Sequence, residues 1–203
     1  AYEIHSGDCS SDVCSSDLAM KPRDLTVEGR DLDGIHFAMD YLTRQNRVNS
    51  GMYVAYDNRI TAEGRKVLVI GGGDTGSDCV GTAIRQGASS VTQIEILPRP
   101  PEKRSTDNPW PYFARTLKTS SSHGEGCERF WGLSTVRFSG MEHRVTHAHV
   151  EEVSWQHVNG SLSMSPVPDT RRMIEADLIL LAMGFLHPVH EGLSTELNLP
   201  LSS

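Results

Sequence analysis

The sequence lacks several features, and each absence narrows what the chain can be. No apolar stretch approaches the roughly 20 residues of a membrane-spanning helix. The polar, acidic first residues do not read as a signal peptide. There is no run of Lys or Arg, and the formal net charge is −7, so neither nucleic acid nor a membrane is an expected partner. Cysteine is sparse. Cys9, Cys14, Cys79 and Cys127 are too few and too irregularly spaced for a disulfide framework or a metal knuckle. A cytoplasmic protein is the default reading. With 37% hydrophobic and 22% charged residues among 203, the chain has enough apolar material for an ordinary core. Its length suits one α/β domain, or one domain plus a piece of another.

What the sequence does carry is a glycine loop between a strand and a helix. Lys66–Ile70 is nearly all apolar, as a strand buried on both faces should be. It runs into Gly71-Gly72-Gly73-Asp74-Thr75-Gly76, which contains the GxGxxG spacing. In that spacing the first glycine makes the tight turn, the second lets a pyrophosphate approach the backbone, and the third lets the helix pack on the strand. A helix N-terminus behind such a loop offers free N–H groups and partial positive charge to an anion. Residues 74–86 read as that helix, with Cys79, Val80, Ala83 and Ile84 inward and Gly87 as its stop. Residues 91–97 read as the next strand. The result is a strand–helix–strand unit of about 30 residues, the context that the fingerprint requires. The fold class expected is α/β, a Rossmann-like NAD(P)H-binding domain on a parallel sheet.

The end of the second strand is where the adenosine ribose is read: an acid binds the 2′-hydroxyl, and a nearby Arg accommodates a 2′-phosphate. Glu95 stands there, with Arg99, Lys103 and Arg104 close behind. The cofactor is therefore NADPH or NADH, with Glu95 favouring NADH and Arg99 NADPH.

Elsewhere the signals are weaker. Residues 1–18 contain the near-repeat Cys9-Ser-Ser-Asp12 and Cys14-Ser-Ser-Asp17. The segment has no period and resembles a translated sequencing-library adapter, so it is read as disordered or non-native. Residues 34–48 have Ile35, Ala38, Met39 and Leu42 at helical spacing. Residues 98–127 form an insertion rich in Pro, Ser and charge, with Trp110, Tyr112 and Phe113, read either as local packing or as a lid or docking surface. Ser120-Ser-Ser-His123 offers a hydroxyl and an imidazole, but without the strand–turn–helix elbow of a nucleophile. Short strands are expected at 135–138, 145–155, 162–166 and 171–174, with Asn159-Gly160 as a hairpin turn. His143, His147 and His149 read as exposed strand histidines without a carboxylate in register, not as a metal site. Residues 176–184 read as a second buried strand ending at Met183-Gly184, its turn at the cofactor edge of the sheet.

Several of these stretches together resemble one family. Lys21-Pro-Arg-Asp-Leu25, Gly34-Ile-His-Phe-Ala-Met39, Val69-Ile-Gly-Gly-Gly-Asp-Thr-Gly-Ser-Asp-Cys-Val80, Asp107-Asn-Pro-Trp-Pro-Tyr112, Thr119-Ser-Ser-Ser-His123 and Leu178-Ile-Leu-Leu-Ala-Met-Gly-Phe185 are similar, in order, to the small (beta) subunit of glutamate synthase. The same region is found in the single-chain NADH-dependent enzymes. The resemblance runs from about residue 19 to 203. It implies a flavoprotein with two dinucleotide-binding domains and a β-meander. Electrons pass from NAD(P)H to FAD, and on through iron–sulfur clusters to a large (alpha) subunit or fused equivalent that makes glutamate. It also implies that Gly71, Gly73 and Gly76 hold the dinucleotide pyrophosphate, and that the chain returns towards the flavin at Met183-Gly184. Residues 19–33 would then be a remnant of the FAD domain, 34–184 the NAD(P)H domain, and 185–203 the start of the return. The FAD fingerprint and the cluster-binding cysteines are not among these 203 residues. The expectation is that the chain alone binds FAD poorly and does not make glutamate. Two alternatives stay open: a related FAD/NAD(P)H oxidoreductase feeding another partner, or a non-catalytic dinucleotide-binding module.

Overall fold

In the computed structural model, the described residues are 21–55, 59–106, 108–112, 114–158 and 161–187. The near-repeat of residues 1–18, Phe113 and the Asn159-Gly160 turn lie outside them. The chain divides into two units, residues 25–183 and the pair of segments 1–24 and 184–203.

The larger unit has two layers. One is a five-stranded parallel sheet of β1 (Ile35–Phe37), β9 (Leu178–Leu181), β2 (Lys66–Ile70), β3 (Ser90–Glu95) and β4 (Glu128–Trp131), in that spatial order. Helices α1 (Ala38–Asn49) and α2 (Gly73–Arg85) belong to this sheet, joined by the short α3 (Ser121–Gly124) within the insertion. The other layer is antiparallel: β5 (Leu133–Met141) and β8 (Arg172–Glu175) pair with β6 (Arg144–Val158), which also pairs with β7 (Ser161–Pro166).

The period-2 alternation of strands builds the two cores. Val67 and Val69 of β2, with Leu178 and Leu180 of β9, pack with Tyr41 of α1 and Cys79, Val80 and Ala83 of α2. Leu68, Ile70, Ile179 and Leu181 point the other way, among Phe138, Val145, Ala148 and Val150 of the antiparallel layer. The central strands are thus apolar on both faces because both are covered. Each fully buried aliphatic side chain contributes roughly 1.5–3 kcal/mol.

Three expectations change. Residues 35–37 are a strand, not the first turn of a helix. They pair in register with Ile179, Leu180 and Leu181, and that pairing overrides the local 3.6-residue spacing. The helix begins only at Ala38, so its inner stripe is Ala38, Tyr41 and Leu42, and Met39 is 44% exposed. β4 was not anticipated. As an edge strand it alternates exposed Glu128 and Phe130 with half-buried Arg129 and Trp131, so it carries no apolar run. The third change concerns the histidines. His143 sits with Glu142 in the β5–β6 turn, both at positive φ, the conformation of a type I′ hairpin. His147 does face a carboxylate in register, Glu175, but that carboxylate pairs with Lys66. His149 Nε2 lies 2.8 Å from the Ser139 hydroxyl. Among the described residues no three His, Cys, Asp or Glu side chains form a metal-competent group.

α2 ends as read. Gly87 at φ +85° sends its N–H to Ile84, and Ala88 sends its own to Ala83, the Schellman pattern. Inside α2, Cys79 is fully buried, and burial pushes its thiol up to about 12. The half-buried Cys127 is pushed up to about 11 by the same cause. Both should resist iodoacetamide at pH 8 in the native chain and react in denaturant, which mass spectrometry of tryptic peptides reads directly. The Cys79 thiol titrates higher in the folded chain than its ordinary 9.0, so its share of stability is intact at neutral pH. That share is lost as pH rises from about 9 towards 12, and the unfolding free energy from urea denaturation at pH 10 should be about 1 kcal/mol lower than at pH 7.

In the smaller unit the described residues form an antiparallel contact. Pro22 bridges Phe185, the Arg23 N–H donates to the Gly184 carbonyl at 2.9 Å, and Leu186 donates to Lys21 at 2.9 Å.

Candidate functional site

The glycine loop lies at the carboxyl edge of the parallel sheet, between β2 and α2, and each glycine in it answers a different neighbour. Gly71 has φ +111°, and a Cβ there would stand 2.2 Å from the Ala182 carbonyl oxygen. Its N–H donates to the Ile94 carbonyl at 2.8 Å. It is therefore wedged between β3 and the end of β9, with the Met183 amide close behind. Gly72 is the N-cap of α2 and has no side chain to satisfy the first-turn amides. A Cβ on it would meet the Glu95 carboxylate at 2.3 Å. Gly73, the first helical residue, has φ +71° and open space where a Cβ would be. Asp74 is exposed and Thr75 half-buried in the first turn. Gly76 is buried. A Cβ there would fall 2.8 Å from Gln93 Nε2 and 2.9 Å from the Gly71 carbonyl oxygen.

The structure brings Glu95 to the loop and adds residues that the sequence did not single out. Glu95 at the end of β3 pairs with Arg129 Nη2 at 3.4 Å, both side chains largely buried. The guanidiniums of Arg129 and Arg99 lie over the Trp131 ring at 4.9 and 5.5 Å. Arg129 Nε and Trp131 Nε1 are buried donors without a hydrogen-bond partner. These residues meet because β3 and β4 pair in parallel, Gln93 beside Arg129 and Glu95 beside Trp131. Arg99 itself is exposed and pairs with Glu102 at 3.5 Å. Arg104 is used inside the insertion, donating to the carbonyls of Asn108 and Tyr112. Trp110 and Tyr112 are 83% and 68% exposed, so local packing does not account for those two aromatics. Gly184, at φ +81°, belongs to the smaller unit.

Ser120-Ser-Ser-His123 is a helix cap. Ser120 and His123 form a capping box at the start of α3, with His123 Nδ1 accepting from the Ser120 N–H at 3.1 Å. The other ring nitrogen meets Gln93 Oε1 at 2.9 Å. Burial, then the nearby Arg129 charge, lower the His123 pKa, so the ring is neutral at physiological pH.

No protein-family model matches the chain. The glutamate synthase [NADPH] small chain of Mycobacterium tuberculosis is 44% identical over 179 residues, covering 87% of this chain and 36% of that protein. The glutamate synthase [NADH] of Schizosaccharomyces pombe is 37% identical over 179 residues, covering 84% of this chain and 8% of that one. The chain therefore spans about a third or less of the curated relatives it matches. Among solved structures, FprA of Mycobacterium tuberculosis in complex with NADPH superposes with a TM-score of 0.58. The identity is 13%, and the overlap covers 86% of this chain and 50% of that one. This likeness bears out the fold, a Rossmann-like parallel sheet with an antiparallel meander.

Proposed function

This chain is homologous to a region of the glutamate synthase small chains, and from that premise we propose that it is the NAD(P)H-binding part of an electron-input module. In this reading it holds NADPH or NADH, and the hydride passes to an FAD bound by the complete protein. A large subunit or fused equivalent uses the electrons to make glutamate from glutamine and 2-oxoglutarate. Iron–sulfur clusters belong to regions outside these 203 residues. Among the described residues no helix is long and apolar enough to cross a membrane.

The observation that carries the reading is the uncapped N-terminus of α2 behind a glycine loop at the carboxyl edge of a parallel sheet. First-turn amides without a side-chain partner suit an anionic pyrophosphate. The open space at Gly73 is the cradle that a Cβ would fill. Gly71, Gly72, Gly73, Asp74, Thr75 and Gly76 are assigned to the pyrophosphate, Glu95 and Arg99 to the adenosine ribose, and Met183-Gly184 to the return towards the flavin. The bound dinucleotide supplies the hydride. The chain's own residues bind and orient it, and no side-chain acid or base is assigned.

Trp131 is placed to report binding. Titration of the chain with NADPH and with NADH should quench its fluorescence, and Trp131→Phe should remove most of that signal without weakening binding measured by calorimetry. Absence of binding by either dinucleotide to a chain that still unfolds cooperatively would sink the reading.

A further inference from the structure

We infer that Gln93 and His123 are positioning residues for the glycine loop, and that through them the insertion helix α3 sets how the loop presents its amides to a dinucleotide. The inference rests on the reading of the loop as a dinucleotide cradle.

It begins with an oddity in β3. The neighbouring positions on the same face of the sheet, Val67, Val69 and Val91, are apolar and buried. Gln93 is fully buried there. A buried amide weakens a core unless all its hydrogen bonds are made, and Gln93 makes them at both ends. Its Nε2 donates to the Gly71 carbonyl at 2.9 Å, and its Oε1 faces His123 Nε2 at 2.9 Å. The direction of each bond follows. His123 Nδ1 accepts from the Ser120 amide, so the ring proton is on Nε2 and is donated to Gln93 Oε1. That turns the Gln93 amide so that its NH2 group faces Gly71.

The consequence reaches the ligand side through the peptide plane. The Gly71–Gly72 peptide is trans, so its C=O and N–H point in opposite directions. Holding the Gly71 carbonyl on Gln93 aims the Gly72 N–H, the N-cap amide of α2, away from the core. Gly76 makes room for this contact, since a Cβ there would strike both Gln93 Nε2 and the Gly71 oxygen. At its far end the network is anchored on α2. The Ser120 hydroxyl contacts the buried Ser77 hydroxyl. Ser122 sits where a Cβ on Gly81 would be, and Glu125 pairs with Arg85.

Two isosteric substitutions separate positioning from mere stability. Asn places an acceptor where Nδ1 is, and Gln places a donor where Nε2 is. His123→Asn keeps the cap but releases Gln93; His123→Gln keeps the Gln93 bond but loses the cap. The 203-residue chain and both variants are titrated with NADPH and NADH by calorimetry and melted in parallel. The expected result is a Kd raised roughly fivefold or more in His123→Asn at a nearly unchanged Tm, and a near-parental Kd in His123→Gln despite a lower Tm. Parental affinity in His123→Asn, or losses that track Tm in both variants, would overturn the inference and leave the proposed function standing. No binding by the unsubstituted chain would overturn both. Should His123→Asn fail to fold, nitrogen-15 NMR of the His123 ring in the unsubstituted chain decides. The inference requires the Nε2–H tautomer and an Nε2 shift on addition of NADPH; the other tautomer, or a ring indifferent to NADPH, overturns it.

Discussion

Gly71→Ala will cost this chain roughly 3–5 kcal/mol and with it dinucleotide binding, whereas Gly73→Ala will abolish binding at a stability cost near 1 kcal/mol. Gly71 is held at φ +111°, and its new methyl would sit 2.2 Å from a backbone oxygen of Ala182 and 3.1 Å from the Met183 amide nitrogen. Those are backbone atoms of a central strand's exit, so no rotamer change relieves the clash. The loss is a large share of the 5–15 kcal/mol that hold an ordinary domain together. Gly73 also has positive φ, but nothing lies within 4 Å of the added methyl, so only the backbone preference is lost. The same methyl enters the space assigned to the pyrophosphate. Urea denaturation and NADPH calorimetry on the two variants give the contrast. Equal losses of stability would mean that the two glycines are not doing different things.

Glu95→Ala is expected to move the NADPH-to-NADH affinity ratio ten- to hundredfold towards NADPH. In the structure the Glu95 carboxylate lies against Gly72, and its partner is Arg129. A carboxylate in that place accepts from a ribose 2′-hydroxyl and repels a 2′-phosphate. Its removal leaves Arg129 without its acid and Arg99 nearby over the same Trp131 ring, two cations suited to bidentate phosphate contact. A charge-assisted hydrogen bond of about 1.5–3 kcal/mol gives that range. Arg129→Met should move the ratio the other way. Competition between NADH and NADPH in one titration measures both. A ratio unchanged in Glu95→Ala would remove Glu95 from the ribose site.

The sequence made the local parts of this design legible, because local parts are written in consecutive residues. β2, the glycine loop, α2 and β3 follow one another without interruption, and their boundaries fall within a residue or two of the expected ones, as helix ends commonly do. β9 was legible because the unbroken apolar run Leu178–Met183, closed by Gly184, suits a strand covered on both faces. β1 was not, since Ile35, Ala38, Met39 and Leu42 satisfy a helical spacing and only the distant Ile179–Leu181 segment makes a strand of Ile35–Phe37. The site divides in the same way. The glycines and Glu95 lie on one continuous unit. Arg129 and Trp131 reach it through the register between β3 and an unanticipated edge strand, and Gln93 meets His123 only because the insertion folds back as α3. In sequence Ser120 and His123 offer a hydroxyl and an imidazole without the elbow a nucleophile needs. Their hydroxyl and ring do stand 3.0 Å apart, in a helix cap.

The strand order β1-β9-β2-β3-β4 also sets a timetable. The first strand of this sheet to be synthesised cannot find its partner until the last one of the sheet has been made, because Ile35 pairs with Ile179 and not with β2. At 5–20 residues per second, β1 and one edge of β2 stay unpaired for roughly 5–30 seconds, while the β2–α2–β3 unit already has all its local contacts. The late-arriving Leu178–Leu181 segment, fully apolar and central, closes the sheet and buries both faces at once. Folding of this unit is therefore a closure from its C-terminal end, slow for its size because its decisive contacts are remote in sequence. A ribosome-stalled chain ending before residue 176 should hold a protected α2 and an unprotected β1.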